Sequence, residues 1–286
     1  MKKILVLTDY SAAARHALLF AMHMYHAQAC EFSLLHSYAQ LPEASDFLDD
    51  QIGRDAQAMM NDYVEGFKKE YELNPYHALS GTAIGGNIYI AVSELYAKQP
   101  SELVVVGATG NGDSIWLGSV ATEIIRTAPC PVLVVPISAA LRPLQDFVIA
   151  TDYSNFKSQT LFKPVAEVLE AGKSKLVFLS ILEPEQSAKE VDQERQALLN
   201  QYFEDFEPLH FFMKDDSTLE GIEEYLSNHH TDLLVTVSHN RSLWDVLLNR
   251  STSRILAYQA EVPLLVLTEN VSDSSEELPS SEWELL

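Results

Sequence analysis

The sequence predicts an α/β protein of two similar domains, each a five-stranded, mostly parallel sheet with helices on both faces, packed together as a pseudo-dimer. Three observations predict this fold. The 286-residue chain opens its two halves alike, with KKILVLTDYS from Lys2 and DFVIATDYS from Asp146, so it is a tandem repeat. Apolar runs of strand length alternate with stretches whose apolar residues recur at helical spacing. The fourth run of the first half, Leu103–Val106, is wholly apolar, which is typical of a strand buried on both faces of a parallel sheet.

The first half alternates strands and helices in the order βαβαβαβαβ, which favours one sheet with crossover helices on its two faces. Short apolar runs predict strands at Ile4–Thr8, Glu31–Tyr38, Tyr76–Ser80, Leu103–Val106 and Val132–Val135. Helical periodicity predicts helices at Ala12–Gln28, Asp55–Tyr71, Ile88–Ala97 and Ser119–Thr127. Two segments between them are interpreted as loops, a long one at Ala39–Ile52 and a flexible, glycine-rich one at Gly81–Gly86.

The second half repeats this order. Its strands are predicted at Phe147–Thr151, Lys175–Leu182, His210–Met213, Leu233–Val237 and Leu264–Leu267, with a helix centred on Val191–Phe203. Asp9 and Asp152 lie 143 positions apart, whereas Pro131 and Pro263 lie 132 apart, so the second copy is shorter in its middle.

Repeats of this length are whole domains, which we place at residues 1–138 and 145–268. The linker Ala139–Leu144 is too short to let the domains separate far, and it therefore predicts a pseudo-symmetric pair. Residues 269–286 contain six acidic residues and no Lys or Arg, which predicts a disordered acidic tail.

Composition excludes several classes of function. A net charge of −22 leaves no basic surface for a phosphate backbone or an anionic bilayer, so we expect neither nucleic acid nor membrane as a partner. No apolar run is long enough to span a bilayer and no signal peptide precedes the first strand, so we expect a cytoplasmic protein. The thiols of Cys30 and Cys130 lack metal-type spacing and are expected to be inert. The histidines, among them the adjacent His229 and His230, show no carboxylate or cysteine partner at metal spacing, so no metal site is predicted.

The candidate site is the glycine-rich loop after the fourth strand, GATGNGDSIWLGSV from Gly107 to Val120. Glycines let a ligand approach the main chain, and Ser119 stands where a helix begins, so amide groups there can face a phosphate. Asp9, just past the first strand, lies at the same sheet edge and can accept hydrogen bonds from a ribose hydroxyl or an adenine amine. Together they indicate a nucleotide site. The alternatives are a purely structural turn and an Asp9 that caps the helix starting near Ala12.

The opening KKILVLTDYSAAARHAL, the motif LLHSY and the segment GATGNGDSIWLGSVATEIIRTAPCPVLVVP resemble the universal stress protein family, in tandem form, over nearly all of residues 1 to 268. The resemblance implies a Rossmann-like fold, pairing through the last strands, and either an ATP-binding or a non-binding type. It also implies that the nucleotide is lined by Asp9, Ser37, Val106, Gly107, Gly110, Gly118, Ser119 and Val120.

Two departures from the family pattern affect the site. The family loop has nine residues between its second and third glycines, whereas seven separate Gly110 from Gly118. This shortening favours either lost binding or a shorter phosphate chain. In the second copy Val237, Asn240 and Arg250 replace the three glycines, so we expect a structural domain there although Asp152 is retained. As an alternative, Arg241 and Arg250 pair with an anion or with an acid of the first copy.

The sequence therefore predicts a stress-response module that binds ATP or another adenine nucleotide, with or without Mg²⁺, and meets a protein partner of unknown identity. Two alternatives remain: a nucleotide-free pseudo-dimeric scaffold and a weak ATP hydrolase. Catalysis is disfavoured because Asp113 is the only acid in the loop and no Lys or Arg accompanies it, so no catalytic residue is predicted. Further dimerisation of the whole chain is left open.

Overall fold

The computed structural model describes residues 1–40, 46–108, 110–111, 114–115, 119–153, 156–170, 172–187, 191–237 and 262–268. The strands of the first half are β1 (Lys2–Leu7), β2 (Cys30–Tyr38), β3 (His77–Gly85), β4 (Leu103–Ala108), β5 (Gly110–Asn111), β6 (Ser114–Ile115) and β7 (Val132–Pro136). Its helices are α1 (Ala12–Met24), α2 (Asp46–Glu70), α3 (Ile88–Lys98) and α4 (Ser119–Thr127). The short strands β5 and β6 pair only with each other.

The second half has the same order of strands. They are β8 (Asp146–Ala150), β9 (Lys175–Leu182), β10 (Leu209–Lys214), β11 (Leu233–Val237) and β12 (Leu264–Leu267). Its described helices are α5 (Lys163–Ala166), α6 (Gln193–Tyr202) and α7 (Thr218–Asn228), with single 3-10 turns at Gln159–Phe162 and Glu204–Phe206.

The two halves share one ten-stranded sheet in the order β10-β9-β8-β11-β12-β7-β4-β1-β2-β3. Within this sheet, neighbouring strands of each half are parallel, and the β7–β12 pair at the centre is antiparallel. Leu133 of β7 lies opposite Leu265 of β12, and these two residues occupy equivalent places in the repeat. A pseudo-two-fold axis therefore passes between them, and the predicted pairing of two α/β units is confirmed.

Helices cover both faces of the sheet. Ile4 and Val6 of β1 point into one apolar core, and Leu5 and Leu7 point into the other. Helices α1, α2 and α6 contribute to the first core, while α3, α4 and α7 contribute to the second. Within the described ranges, no helix has both the length and the apolar character that crossing a membrane requires.

Two predicted loops contain regular structure, and both predictions were wrong over part of their length. Helix α2 begins at Asp46, inside the segment interpreted as a loop. Its first turn carries Phe47, which is 76% exposed, so that turn has no buried face for a periodic pattern to reveal. The helix packs through Met60, Val64 and Phe67 further along.

The glycine-rich segment Gly81–Gly85 belongs to strand β3 and pairs with β2 along its length. A Cβ atom on Gly81 would lie 2.5 Å from the sulfur of Met60, so the glycine lets α2 approach the strand. The Gln57 side chain also accepts from the Ala83 amide (2.9 Å) and donates to the Gly81 carbonyl (3.0 Å). The Gln57 side chain thereby provides hydrogen-bond partners for one amide and one carbonyl at the exposed edge of the sheet.

A buried carboxyl on α7 gives a testable pH dependence. Burial and the neighbouring Glu220 raise the pKa of Glu223 to about 7, and its Oε1 is buried without a hydrogen-bond partner. The unfolded chain loses this proton at lower pH than the folded chain, so the free energy of unfolding falls as pH rises from about 4.5 to about 7. We expect Glu223→Gln to raise stability at pH 8 by about 1 kcal/mol, allowing for partial solvent screening, and to have little effect at pH 4.5.

Denaturant unfolding at the two pH values measures this difference. The exposed Glu224 on the same helix provides the control, because Glu224→Gln removes the same charge without relieving burial. An equal gain at both pH values would contradict the assignment to Glu223.

Candidate functional site

A cavity of about 280 Å³ opens where the carboxyl ends of β1 and β4 meet the amino ends of α1 and α4. The chain runs from β1 to β2 on one side of β1, whereas β4 lies on its other side, so this is the topological switch point of the first half. Open α/β sheets bind ligands in the crevice at such a point. The volume lies near the lower end of small-molecule pockets. It is lined by Leu7, Thr8, Asp9, Ser11, Ala13, Ala14, His36, Ser37, Ile88, Val106, Gly107, Ala108, Ser119, Val120 and Ala121.

Six of the eight residues proposed from the sequence line this cavity together: Asp9, Ser37, Val106, Gly107, Ser119 and Val120. Gly110 lies in β5, where it pairs with Ile115, and it is not among the lining residues. Gly118 lies outside the described residues, as does Asp113. The structure thus brings strand-end and helix-start groups to one place.

Asp9 presents an ionised carboxylate to the cavity. Its partial burial acts to raise the pKa, but hydrogen bonds from the Ser11 hydroxyl and amide outweigh burial, and the pKa lies below its ordinary value. The amide bond to Oδ1 measures 3.0 Å. The capping role considered for Asp9 belongs to Ser11, whose Oγ accepts from the Ala14 amide at 3.2 Å. Asp9 therefore braces the turn before α1 while the side chain remains exposed.

The turn after β1 is held by contacts that are not among the sequence predictions. Tyr10 has a φ of 65°, in the left-handed region, and its amide donates to Thr8 Oγ1 at 3.0 Å. The Nδ1 atom of His36 donates to the Thr8 carbonyl at 2.9 Å, and its ring packs against that of Tyr10 with 4.5 Å between centroids. Because a carbonyl only accepts, Nδ1 carries a proton in this bond.

The second half reproduces the same turn, which shows that it is part of the repeat. Tyr153 has a φ of 60°, and its amide donates to Thr151 Oγ1 at 3.0 Å. Ser180 replaces His36 and donates to the Thr151 carbonyl at 2.6 Å. The shared TDYS motif was the signal from which these contacts could have been found.

Gly107 has a packing role in this structure. A Cβ atom there would lie 2.6 Å from the main-chain carbon and oxygen of Ala13 and 2.8 Å from the Ala14 amide nitrogen. Main-chain atoms cannot give way as flexible side chains can, so only glycine lets α1 approach β4 this closely. The sequence predicts ligand contact for Gly107, with a purely structural turn as the alternative, and the structure shows a packing constraint that acts without any ligand.

In the second half the residue equivalent to Gly107 is Val237, which is buried. The helix equivalent to α1 is reduced there to one 3-10 turn and the four-residue α5, which starts at Lys163. The larger side chain of Val237 requires the shorter helix, because a full-length helix in the place of α1 would collide with a Cβ atom at this position. The other altered loop residues, Asn240, Arg241 and Arg250, lie outside the described residues.

A larger cavity of about 360 Å³ lies between the halves, beside the linker and the carboxyl end of α7. His230 and Asp232 line this cavity, and together with Asp146 they have potential metal-ligand atoms within 4.8 Å of one another. Asp232 Oδ1 is 3.1 Å from His230 Nε2, so the expectation that His230 has no carboxylate partner was wrong. Arg142 Nη2 is 2.7 Å from the same oxygen, and a guanidinium therefore already occupies the cation's position.

The repeat explains this cluster. Asp232 Oδ2 accepts from the amides of Gln145 and Asp146 at the start of β8. In the first half Glu102 Oε1 accepts in the same way from the amide of Lys3. These acids therefore hold strand ends at the edge of the sheet opposite the candidate site.

Both cysteines are buried, and burial raises the pKa of Cys30 to about 11 and of Cys130 to about 12. Both thiols are therefore protonated at neutral pH, which supports the expectation that they are unreactive.

The model of the universal stress protein family matches residues 1–136. No curated protein matches the chain. Among solved structures, a universal stress protein from Archaeoglobus fulgidus DSM 4304 is 14% identical with a TM-score of 0.69, over 93% of this chain and 98% of that one. A functionally unknown protein from Pseudomonas aeruginosa PAO1 is also 14% identical, with a TM-score of 0.58 over 94% and 93% of the two chains.

A universal stress protein family protein from Arabidopsis thaliana, crystallised with AMP bound, is 18% identical over 47% of this chain and 90% of that one, with a TM-score of 0.34. The two full-length likenesses establish the fold of both halves.

Proposed function

We propose that this chain is a tandem universal stress protein that binds an adenine nucleotide in the cavity of its first half and acts as a regulatory module in a stress response. The observation that carries the proposal is the cavity itself. It lies at the switch point, and it gathers Asp9, Ser37 and Ser119 from three separate elements. Residues 1–136 are also the part that the family model matches.

The lining divides into two chemical regions. Asp9 follows the end of β1, and Ser37 lies near the carboxyl end of β2; both offer oxygens to ribose hydroxyls or to the adenine amine. Ser119 and Val120 begin α4, whose first amides and positive dipole end favour a phosphate. A nucleotide spanning the two regions would satisfy both.

The remaining parts of the proposal follow from the difference between the two halves, since the candidate cavity lies in the first half. The domain of residues 1–138 holds the nucleotide, and the domain of residues 145–268 serves as its structural partner in the cytoplasm. Nucleotide binding then changes how the pair meets another protein. The acidic segment 269–286 lies outside the described residues.

One observation favours a second candidate, a nucleotide-free scaffold. Packing of α1 fully accounts for Gly107, so that glycine would be required even if no ligand ever bound. Hydrolysis has no comparable support, because the described lining contains no Lys or Arg to stabilise a transferring phosphoryl group.

Calorimetric titration of the Asp9→Asn variant with AMP distinguishes the nucleotide-binding module from the nucleotide-free scaffold. The asparagine oxygen still accepts from the Ser11 amide, but the second carboxylate oxygen becomes a donor and can no longer accept from a ribose hydroxyl. Hydrogen bonds to charged groups contribute about 1.5–3 kcal/mol, and loss of the carboxylate also relieves its repulsion of the phosphate, so we expect the affinity for AMP to fall roughly tenfold.

Asp152→Asn, the equivalent change in the second half, is the control and should leave AMP binding unchanged. No heat from AMP, ADP or ATP with the unaltered protein would remove the proposal and leave the scaffold. Equal losses in both variants would show that the first-half cavity is not the site.

A further inference from the structure

The cavity of the first half differs from most phosphate-binding sites in its charge. Its ionised group is the carboxylate of Asp9, held in that state by the hydrogen bonds from Ser11. The described lining contains no Lys or Arg, and His36 is its one basic side chain. That imidazole already donates its Nδ1 proton to the Thr8 carbonyl. Among the described residues, the cavity therefore presents the negative charge of Asp9 without a Lys or Arg beside it.

The basic residues of the first half are placed elsewhere. Residues 1–136 contain eight Lys and Arg residues, and five of these bond through their side chains to groups outside the cavity. These contacts join Lys2 to Glu102 and Glu167, Arg15 to Glu70, Arg54 to Gln51, Lys68 to Glu65, and Arg126 to Glu123. Lys3 lies at the amino end of β1, while Lys69 and Lys98 lie at the carboxyl ends of α2 and α3.

The parts of the first half outside the described residues cannot supply a cation either. Residues 41–45 and the loop positions 109–118 contain no Lys or Arg, and the first basic residue after Gly107 is Arg126. The whole chain carries a net charge of −22. Every phosphate charge that enters the cavity is therefore opposed by Asp9 and by the field of the protein.

The start of α4 offers limited compensation. A helix N-terminus is equivalent to roughly half a positive charge and acts only over its first turn. A monophosphate carries about −1.5 to −2 charges, and each further phosphate adds to that without gaining a cationic partner among the described lining residues. The local field thus suits at most one phosphate next to the helix.

We infer that this cavity selects its ligands by charge and takes adenosine or AMP in preference to ADP and ATP. The inference rests on the proposed function, because it presumes that an adenine compound binds in the first half. It makes the module a reporter of nucleosides and monophosphates, whose levels rise when triphosphates are consumed.

Calorimetric titration of the full chain with adenosine, AMP, ADP and ATP in EDTA at low ionic strength tests the inference. We expect AMP and adenosine each to bind at least tenfold more tightly than ATP, which corresponds to about 1.4 kcal/mol. Raising the salt from about 0.05 to about 0.5 M should narrow the difference, since it screens charges beyond a few ångströms. ATP binding as tightly as AMP, or within tenfold of it, would overturn charge selection while leaving the proposed function intact. If none of the four binds, the proposed function itself fails.

A pair of substitutions at Val120 isolates the charge. This residue lines the cavity at the second position of α4 and is 40% exposed, so a longer side chain can be accommodated there. Val120→Lys adds a cation, and Val120→Met adds similar bulk without charge. We expect the ratio of ATP to AMP affinity to rise at least fivefold in the lysine variant relative to the methionine variant. The same ratio in both variants would show that charge does not set the preference.

Discussion

Replacing Gly107 by valine, the residue at the equivalent place in the second half, is expected to destabilise the first half by about 3 kcal/mol. The first atom of the new side chain would lie 2.6 Å from main-chain atoms of Ala13. Helix α1 would have to shift off β4 or lose its first turn. The second half, which carries Val237 at the equivalent position, has only a 3-10 turn and the short α5 in the place of α1. Because Ala13 and Ala14 also line the cavity, AMP binding should be lost at the same time. Denaturant unfolding and titration measure the two effects.

Gly66 provides the matched control for this substitution. It lies inside α2, and a Cβ atom there meets nothing within 4 Å. Gly66→Ala should therefore stabilise the chain by about 0.5–1 kcal/mol through helix propensity. If Gly107→Val unfolds at the same denaturant concentration as the unaltered protein, the close approach of α1 to β4 is not what requires glycine.

Shortening either leucine at the pseudo-two-fold axis is expected to cost about 3 kcal/mol, within the range measured for fully buried leucines. Leu133 and Leu265 are both 0% exposed and face each other across the one antiparallel pair of the ten-stranded sheet. Because the axis relates them, Leu133→Ala and Leu265→Ala should cost nearly the same. The double variant should deviate from additivity by about 0.5 kcal/mol or more, since the two side chains are neighbours.

The control is Leu209→Ala in the outermost strand β10, where the side chain is 54% exposed and the cost should stay below about 0.5 kcal/mol. Denaturant unfolding of the four variants gives all of these values. A large cost for one axial leucine with almost none for the other would contradict a shared central pair.

The strands could be predicted closely because their signal is local. The strands Leu233–Val237 and Leu264–Leu267 begin and end as predicted, since continuous apolar runs end abruptly where the chain leaves a sheet buried on both faces. The β-strand pairing at the centre required more than local signal. It came from the resemblance to a family that pairs through its last strands.

The errors in the predicted fold arise where tertiary contacts override the local structure that composition favours. Gly81–Gly85 was interpreted as a flexible loop because glycines weaken strand propensity. The strand exists because Gly81 lets Met60 pack over it and because Gln57 bonds to its outer edge, and neither contact is visible before α2 is placed. The first turn of α2 was missed for the opposite reason, since its exposed Phe47 gives no amphipathic pattern.

For the candidate site, the sequence predicted where the residues lie better than it predicted what each residue does. The rule that parallel strands end at a common edge predicted that Asp9 and Ser119 meet at one cavity, and the family resemblance added Ser37. It could not show that Gly107 serves packing of α1 or that His36 is tied to the Thr8 carbonyl. Such roles depend on distances of a few tenths of an ångström, which residue types alone do not determine.

The central claim is that an adenine compound binds between Asp9 and the start of α4, and only in the first half. Backbone amide spectra recorded during an AMP titration test this most directly, because each amide reports its own surroundings. We predict saturable shifts at Ser37, Gly107, Ser119 and Val120, with no change at Ser180, Thr236 or Val237. Shifts confined to the second half, or none in the first at saturating AMP, would contradict the claim.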